Sequence, residues 1–219
     1  MTTTDRTDWD SYYKKPAATA HLTRRVTARL LAERFRAALD GSASELTICE
    51  LGGANSCFAD ALIASLPVNA YHIMDNNAFG LSLLDRKYGS GGIISWEQAD
   101  VLQSSEVARK FDIVYSVGLI EHFDPALTAS AVRRHFDLVK PNGIVLITFP
   151  TPTWLYRVTR AAIEAIGRWS FPDERPLELD EVERAVAPHG RIVWKYVNWY
   201  ILLTQGIIVA RPTNTGLQG

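Results

Sequence analysis

The sequence predicts an α/β fold, a doubly wound, mostly parallel seven-stranded sheet with an antiparallel edge strand. Three observations carry this expectation. Short apolar runs alternate with helix-length stretches from residue 46 onward. The first three runs end in or lead to acids, at Glu50, Asp75 and Asp100. Two final runs, at 191–199 and about 202–210, are close enough to pair as a hairpin.

The elements follow in order. Trp9 to Lys15 reads as a short helix or lid, ended by Pro16. Leu22, Val26, Leu30, Leu31, Phe35 and Leu39 recur at helical spacing, so 18–39 reads as an amphipathic helix. Asp40-Gly41-Ser42 ends it. Strand one is about 46–51, and a helix over about 55–65 stops before Pro67. Strand two is about 70–74, and a helix runs from Asn77 to Tyr88. The glycine-rich turn at 89–92 leads to strand three, about 93–98. Phe111 to Val117 is apolar enough for a central parallel strand. A helix from Pro125 to Val139, a turn at Lys140-Pro-Asn-Gly143 and strand five at 144–149 come next. A helix at about 153–168, a proline- and acid-rich loop at 172–179 and a short helix from Asp180 precede the hairpin. Residues 1–40 thus read as a helical lid. Residues 41–219 read as the core, with a helical substrate-cap insertion at about 150–179.

The bulk composition narrows the function. With 219 residues and 47% hydrophobic side chains, the chain can bury one sizeable core. A net charge of -1 gives no global field for nucleic acid or an anionic membrane. No apolar run approaches the roughly 18 residues a bilayer span needs, so no stable membrane insertion is expected. The polar N-terminus resembles neither a signal nor a transit peptide. Cys49 and Cys57 form no metal or CxxC spacing and read as two reduced core thiols of a cytoplasmic protein.

The stretch from Leu46 to Asp100 points to the chemistry. Glu50 ends the first strand, and Gly52-Gly53-Ala54-Asn55-Ser56 follows at once. Small residues let a ligand approach the backbone, and a carboxylate one strand later, here Asp75, can bind ribose hydroxyls. The pattern predicts a ligand containing a nucleoside. Asn55 and Asn76 could each add a hydrogen bond or simply serve their turns.

Glu50-Leu-Gly52-Gly-Ala54-Asn-Ser56 resembles the first motif of class I S-adenosylmethionine-dependent methyltransferases, with Ala54 and Ser56 where glycines are usual. Phe111-Asp-Ile-Val-Tyr-Ser-Val-Gly-Leu-Ile-Glu121-His122-Phe is similar to the family's fourth strand, including its Glu-His pair. Leu138-Val-Lys-Pro-Asn-Gly-Ile-Val-Leu-Ile is similar to its last helix, turn and fifth strand. The resemblance covers roughly residues 30–210. It implies a Rossmann-like methyltransferase fold, S-adenosyl-L-methionine as cofactor and a small-molecule acceptor. It implies that Asp75 holds the ribose, and that Asp100 with the Val101 amide reads the adenine. Glu50, Gly52 and the Ser116 backbone would lie against the cofactor, and Tyr12 and Tyr13 would close over cofactor and acceptor. Glu50 could equally be a structural anchor of the turn.

His122 is the candidate general base, because its pKa lies near neutrality and it follows a strand end facing the cleft. It could instead pack with Glu121 under the cofactor. Some relatives bind a divalent metal with an extra glutamate three residues before Glu121. Gly118 stands there, so no metal is expected. His189 is a second candidate on the acceptor side.

In the 153–168 helix, Trp154, Leu155, Val158, Ala162 and Ile166 share one side, and Arg157, Arg160, Glu164 and Arg168 the other. The expectation is an amphipathic helix packed on the core. Trp154 and Arg157 are candidates to meet an acceptor, with an anionic substrate or an interfacial membrane contact as lesser alternatives for the basic side. Trp169, Phe171, Trp194 and Trp199 could floor a ring-shaped acceptor, although core packing is their default.

O-methylation of a sugar, a cell-surface glycan precursor or a secondary metabolite is therefore the expected activity. N- or C-methylation, or a non-catalytic binding protein, are the alternatives. A nicotinamide dehydrogenase would also suit Asp75, but the third glycine of GxGxxG and a Tyr-x-x-x-Lys pair are missing. The oligomeric state stays open, a homodimer included.

Overall fold

The structure is a computed structural model that describes residues 6–14, 20–39, 45–103 and 109–213. Pro16, the Asp40-Gly41-Ser42 stop and the side chains of His21 and Leu22 lie outside the described residues.

Seven strands form one sheet: β1 (Leu46–Leu51), β2 (Val68–Asp75), β3 (Ile94–Gln98), β4 (Phe111–Val117), β5 (Val139–Pro150), β6 (Gly190–Asn198) and β7 (Gln205–Pro212), in the order β3-β2-β1-β4-β5-β7-β6. The first five pair in parallel. β7 runs antiparallel between β5 and β6, so the terminal hairpin completes this edge of the sheet. The central strands β1, β4 and β5 bury most of their side chains, as expected for a sheet covered on both faces, whereas the edge strand β3 buries none fully.

Helices α2 (Ala20–Ala38), α3 (Ala59–Ser65) and α4 (Ala78–Tyr88) cover one face through Leu31, Phe35, Leu62, Leu81 and Leu84. Helices α5 (Pro125–Leu138) and α7 (Leu179–Val186) cover the other through Val132, Leu138, Val182 and Val186. Side-chain caps set helix starts. Asn77 accepts from the Gly80 amide, Asp124 from that of Leu127 and Thr153 from that of Tyr156. Strand order reverses between β1 and β4, and a doubly wound sheet opens its ligand crevice at that switch point.

Local details depart from the sequence expectations. The helix expected from residue 55 begins at Ala59, because the Ser56 hydroxyl accepts the Phe58 and Ala59 amides and holds residues 52–58 as a turn. Cys57 lies in that turn and is exposed; Cys49 is the core thiol. The expected turn at Lys140–Gly143 is absorbed into β5 as a register shift opposite Phe111 and Ile113.

Helix α6 (Trp154–Ala165) reverses the expected packing. Trp154 is 68% exposed, Val158 62% and Ile166, just beyond the helix, 66%, whereas Tyr156 is buried. The cause is polar. Arg160 turns inward, donating to the Glu174 carbonyl at 3.0 Å and lying 4.7 Å from the Trp169 ring centre. The helix is held by its Tyr156 and Arg160 side, so its apolar side faces outward.

Candidate active site

The turn after β1 forms the floor of the crevice. Gly52 sits at φ +70, and its amide donates to the Met74 carbonyl at 2.8 Å. A Cβ there would lie 2.8 Å from Leu119 Cδ1, so glycine is required by both conformation and space. Asn55 also has positive φ, at 58. Glu50 lies under this turn. Its Oε2 accepts from the Ser56 and Tyr71 hydroxyls, each at 2.6 Å, and the Tyr71 hydroxyl also bonds that of Tyr115. Burial pushes the Glu50 carboxyl up to about 7, against those hydrogen bonds. Ser56, in place of a third glycine, thus ties the turn to Glu50 and to the start of α3.

Asp75 closes β2. Its Oδ2 accepts the Ala54 amide at 2.9 Å and its Oδ1 the Asn77 amide at 2.8 Å, so one carboxylate joins the turn to the start of α4. Burial raises its pKa, opposed by these amides.

Helix α1 (Trp9–Lys14) lies across the crevice. Asn77 donates to Asp10 at 2.8 Å, and the Tyr13 ring rests so close to Gly80 that a Cβ there would meet its Cε2 at 2.8 Å. Trp9, Tyr12, Tyr13 and Phe171 form an aromatic cluster, with Trp9 and Tyr13 stacked at 5.9 Å.

The loop after β4 supplies another wall. A 3₁₀ turn at Ile120–His122 places Glu121 and His122 at the crevice. His122 Nδ1 lies 3.0 Å from Asp173 Oδ1, and Trp9 meets the imidazole edge-on at 5.0 Å. Asp173 also accepts from the Thr7 hydroxyl. Burial lowers the His122 pKa, and the Asp173 charge opposes that. Burial would raise Asp173, but bonds from Thr7 and His122 hold it below the usual range.

Beside this pair, Glu121 is 2% exposed and its Oε2 has no hydrogen-bond partner. Glu174 accepts from the Tyr156 hydroxyl. Burial raises both carboxyls, and for Glu121 the Glu174 charge adds to the shift. A carboxylate oxygen of each and a ring nitrogen of His122 lie within 4.8 Å of one another. Among the described residues this grouping has the donor chemistry for a cation, whereas the sequence predicts no metal.

One cavity runs from the turn after β1 to the loop after β4. Tyr12, Tyr13, Glu50, Gly52, Asn55, Glu121 and His122 line it, as do Tyr156, Phe171 and Glu174. The remaining sequence candidates lie outside its lining, Asp75 included, whose two oxygens hold the Ala54 and Asn77 amides behind the turn. The Ser116 hydroxyl faces α5 and bonds His135 Nε2 at 2.9 Å. Asn76 is exposed, and its carbonyl accepts from Gln98. Asp100 accepts the Leu102 amide at 2.9 Å within its own turn, with Val101 beside it. Trp154 and Arg157 are exposed on α6, and His189 packs near Phe136. Of the four aromatic candidates beyond α1, Phe171 alone lines the cavity.

Sequence reasoning missed Asp173, Glu174 and Tyr156, and placed Arg160 on the outer side of its helix. The signal for the two acids was the acid-rich loop at 172–179, whose place was not readable. The Arg175 amide donates to the Glu121 carbonyl at 3.0 Å and the Leu177 amide to that of Pro150 at 2.8 Å, which straps this loop over the Glu-His turn.

No protein-family model and no curated protein matches the sequence. Solved structures do match. A magnesium protoporphyrin IX methyltransferase from Synechocystis PCC 6803 with bound S-adenosylhomocysteine superposes with a TM-score of 0.68 at 12% identity, over 94% of this chain and 93% of that one. The chain has the fold of the S-adenosylmethionine-dependent methyltransferases. The 1,6-didemethyltoxoflavin-N1-methyltransferase of Burkholderia thailandensis, with its substrate and S-adenosylhomocysteine bound, matches with a TM-score of 0.64 at 15% identity, over 94% and 88%. The N-methyltransferase NodS of Bradyrhizobium japonicum WM9, in complex with S-adenosylhomocysteine, gives 0.61 at 15%, over 84% and 86%.

Proposed function

We propose that this methyltransferase fold binds S-adenosylmethionine and methylates a hydroxyl of a small molecule, of the sugar, cell-surface glycan precursor or secondary-metabolite class. The observation that carries the reading is the His122–Asp173 pair, set in an aromatic-covered cavity beside the switch point of the sheet.

The crevice fits such a cofactor. Gly52 leaves no side chain between the turn and Leu119. Each Asp75 oxygen accepts one amide, which leaves lone pairs for a ribose diol. Tyr12 and Tyr13 offer ring faces at the cavity wall. Gly52, Asp75 and Tyr12 would hold the cofactor, with Asn55 at the turn. When bound, it supplies an electrophilic methyl group that carries its own leaving group.

The chain's own residues then align the acceptor and take its proton. Alignment is worth up to roughly 7–11 kcal/mol of barrier. An ionised Asp173 accepts from Nδ1–H of His122, which leaves the Nε2 lone pair for the acceptor hydroxyl. Burial lowers the His122 pKa and so favours the neutral form, which can accept a proton. Trp9 and Phe171 exclude water from the imidazole.

Transfer to an amine is the second reading, favoured by Glu121 and Glu174, whose buried carboxyls, raised in pKa, suit taking the proton that an ammonium loses before its nitrogen attacks. The test is transfer of tritium from methyl-labelled S-adenosylmethionine to a panel of sugars, nucleotide sugars, phenols and amines. Label on oxygen acceptors supports the proposal. Label on amines alone overturns it in favour of the second reading.

A further inference from the structure

Six of the ten large hydrophobic side chains that the described residues expose belong to two chain segments that meet at one junction. Trp154 and Val158 stand one turn apart on α6, and Ile166 lies just beyond its end. Trp199, Tyr200 and Leu202 stand on the loop joining β6 to β7, at 47%, 81% and 64% exposure. The two segments are stitched together at their junction. The Thr153 and Thr204 hydroxyls bond at 2.7 Å, and the Thr151 amide donates to the Thr204 carbonyl at 3.0 Å. Exposed large apolar side chains gathered on adjoining segments mark a contact surface more often than singly scattered ones do.

The unpaired charges on this stretch are positive. Arg157 and Arg168 are exposed and have no ion-pair partner among the described residues. The acid of the same stretch, Glu164, is held by Arg160 at 2.7 Å. Tryptophan and tyrosine beside free arginines match the headgroup region of an anionic bilayer, where ring and guanidinium meet apolar and charged surroundings together. No helix among the described residues is long and apolar enough to cross a membrane, so the contact would be interfacial.

We propose that α6 and the 199–202 loop dock the protein on the surface of an anionic lipid bilayer. The inference rests on this surface and not on the proposed reaction. The docked helix would be the cavity's own wall, since Tyr156 and Leu203 line the cavity from the same two segments.

The test is co-sedimentation of the full chain with vesicles of pure phosphatidylcholine and of phosphatidylcholine with one-third phosphatidylglycerol. The expected result is at least tenfold stronger partitioning to the anionic vesicles, weakened by high salt. The double variant Trp154→Ser, Tyr200→Ser should lose it at least tenfold with an unchanged melting temperature. Arg157→Glu with Arg168→Glu should remove the preference for anionic lipid. No sedimentation of the wild type, or equal sedimentation of the variants, overturns the proposal. So does a lipid-free dimer that the double variant turns into monomers, because the face would then meet a second copy.

Discussion

Asp173 lies 3.0 Å from Nδ1 of His122, although 51 residues separate the two in the chain. The contact selects the imidazole tautomer whose Nε2 is unprotonated, and the Thr7 hydroxyl donates to the same Asp173 oxygen. His122→Ala should leave S-adenosylmethionine affinity intact and cut turnover at least about tenfold. Asp173→Asn should lower turnover with little change in cofactor affinity, since it acts through the ring. Turnover at the wild-type rate in either variant would remove the base assignment.

The pH profile provides a second handle on the same pair. Burial lowers the His122 pKa below its ordinary 6.5, and the Asp173 charge partly restores it. Turnover should be flat above neutrality and should fall as pH drops through the lowered pKa. Asp173→Asn removes the opposing charge, so the acid limb should move further toward low pH. A limb that stays in place would separate Asp173 from the titrating group.

Cofactor affinity should depend on the join between the turn after β1 and the end of β2. Asp75→Ala removes the acceptor of the Ala54 and Asn77 amides and should abolish binding. Unchanged affinity in a calorimetric titration would retire Asp75 as the ribose ligand. Gly52→Ala forces a side chain into φ +70 and into contact with Leu119. It should cost about 1–3 kcal/mol of stability as well as binding, read by denaturant unfolding.

Much of this was legible in the sequence. The parallel strands announce themselves as apolar runs, and Asp75, Asn77 and Asp124 mark element ends by their chemistry. Gly52 marks the crevice because only a small residue tolerates that approach. The orientation of α6 was not legible, because its apolar spacing looks the same whether the stripe faces core or solvent. Polar anchors from a distant loop, Glu174 above all, decide it. Asp173 was missed for the same reason: nothing local in an acid-rich loop says which carboxylate meets a histidine 51 residues earlier.

Glu50 tests the turn's internal wiring. Its folded pKa of about 7 lies above the ordinary 4.5. Its contribution to stability is therefore fully present below pH 4.5 and is lost as pH rises through about 7. Glu50→Gln cannot ionise, so its stability relative to wild type should improve between pH 5 and pH 8, as measured by urea unfolding. A difference independent of pH would mean that the carboxyl stays ionised in the fold.

The central claim is that the crevice between the β1 turn and the β4 loop holds an adenosyl sulfonium cofactor. Calorimetric titration of the purified protein with S-adenosylmethionine, S-adenosylhomocysteine and NAD tests it most directly. The account predicts micromolar binding of the first two, no binding of NAD, and loss of both signals in Asp75→Ala. Binding of NAD alone, or no binding of either sulfur compound, would contradict it.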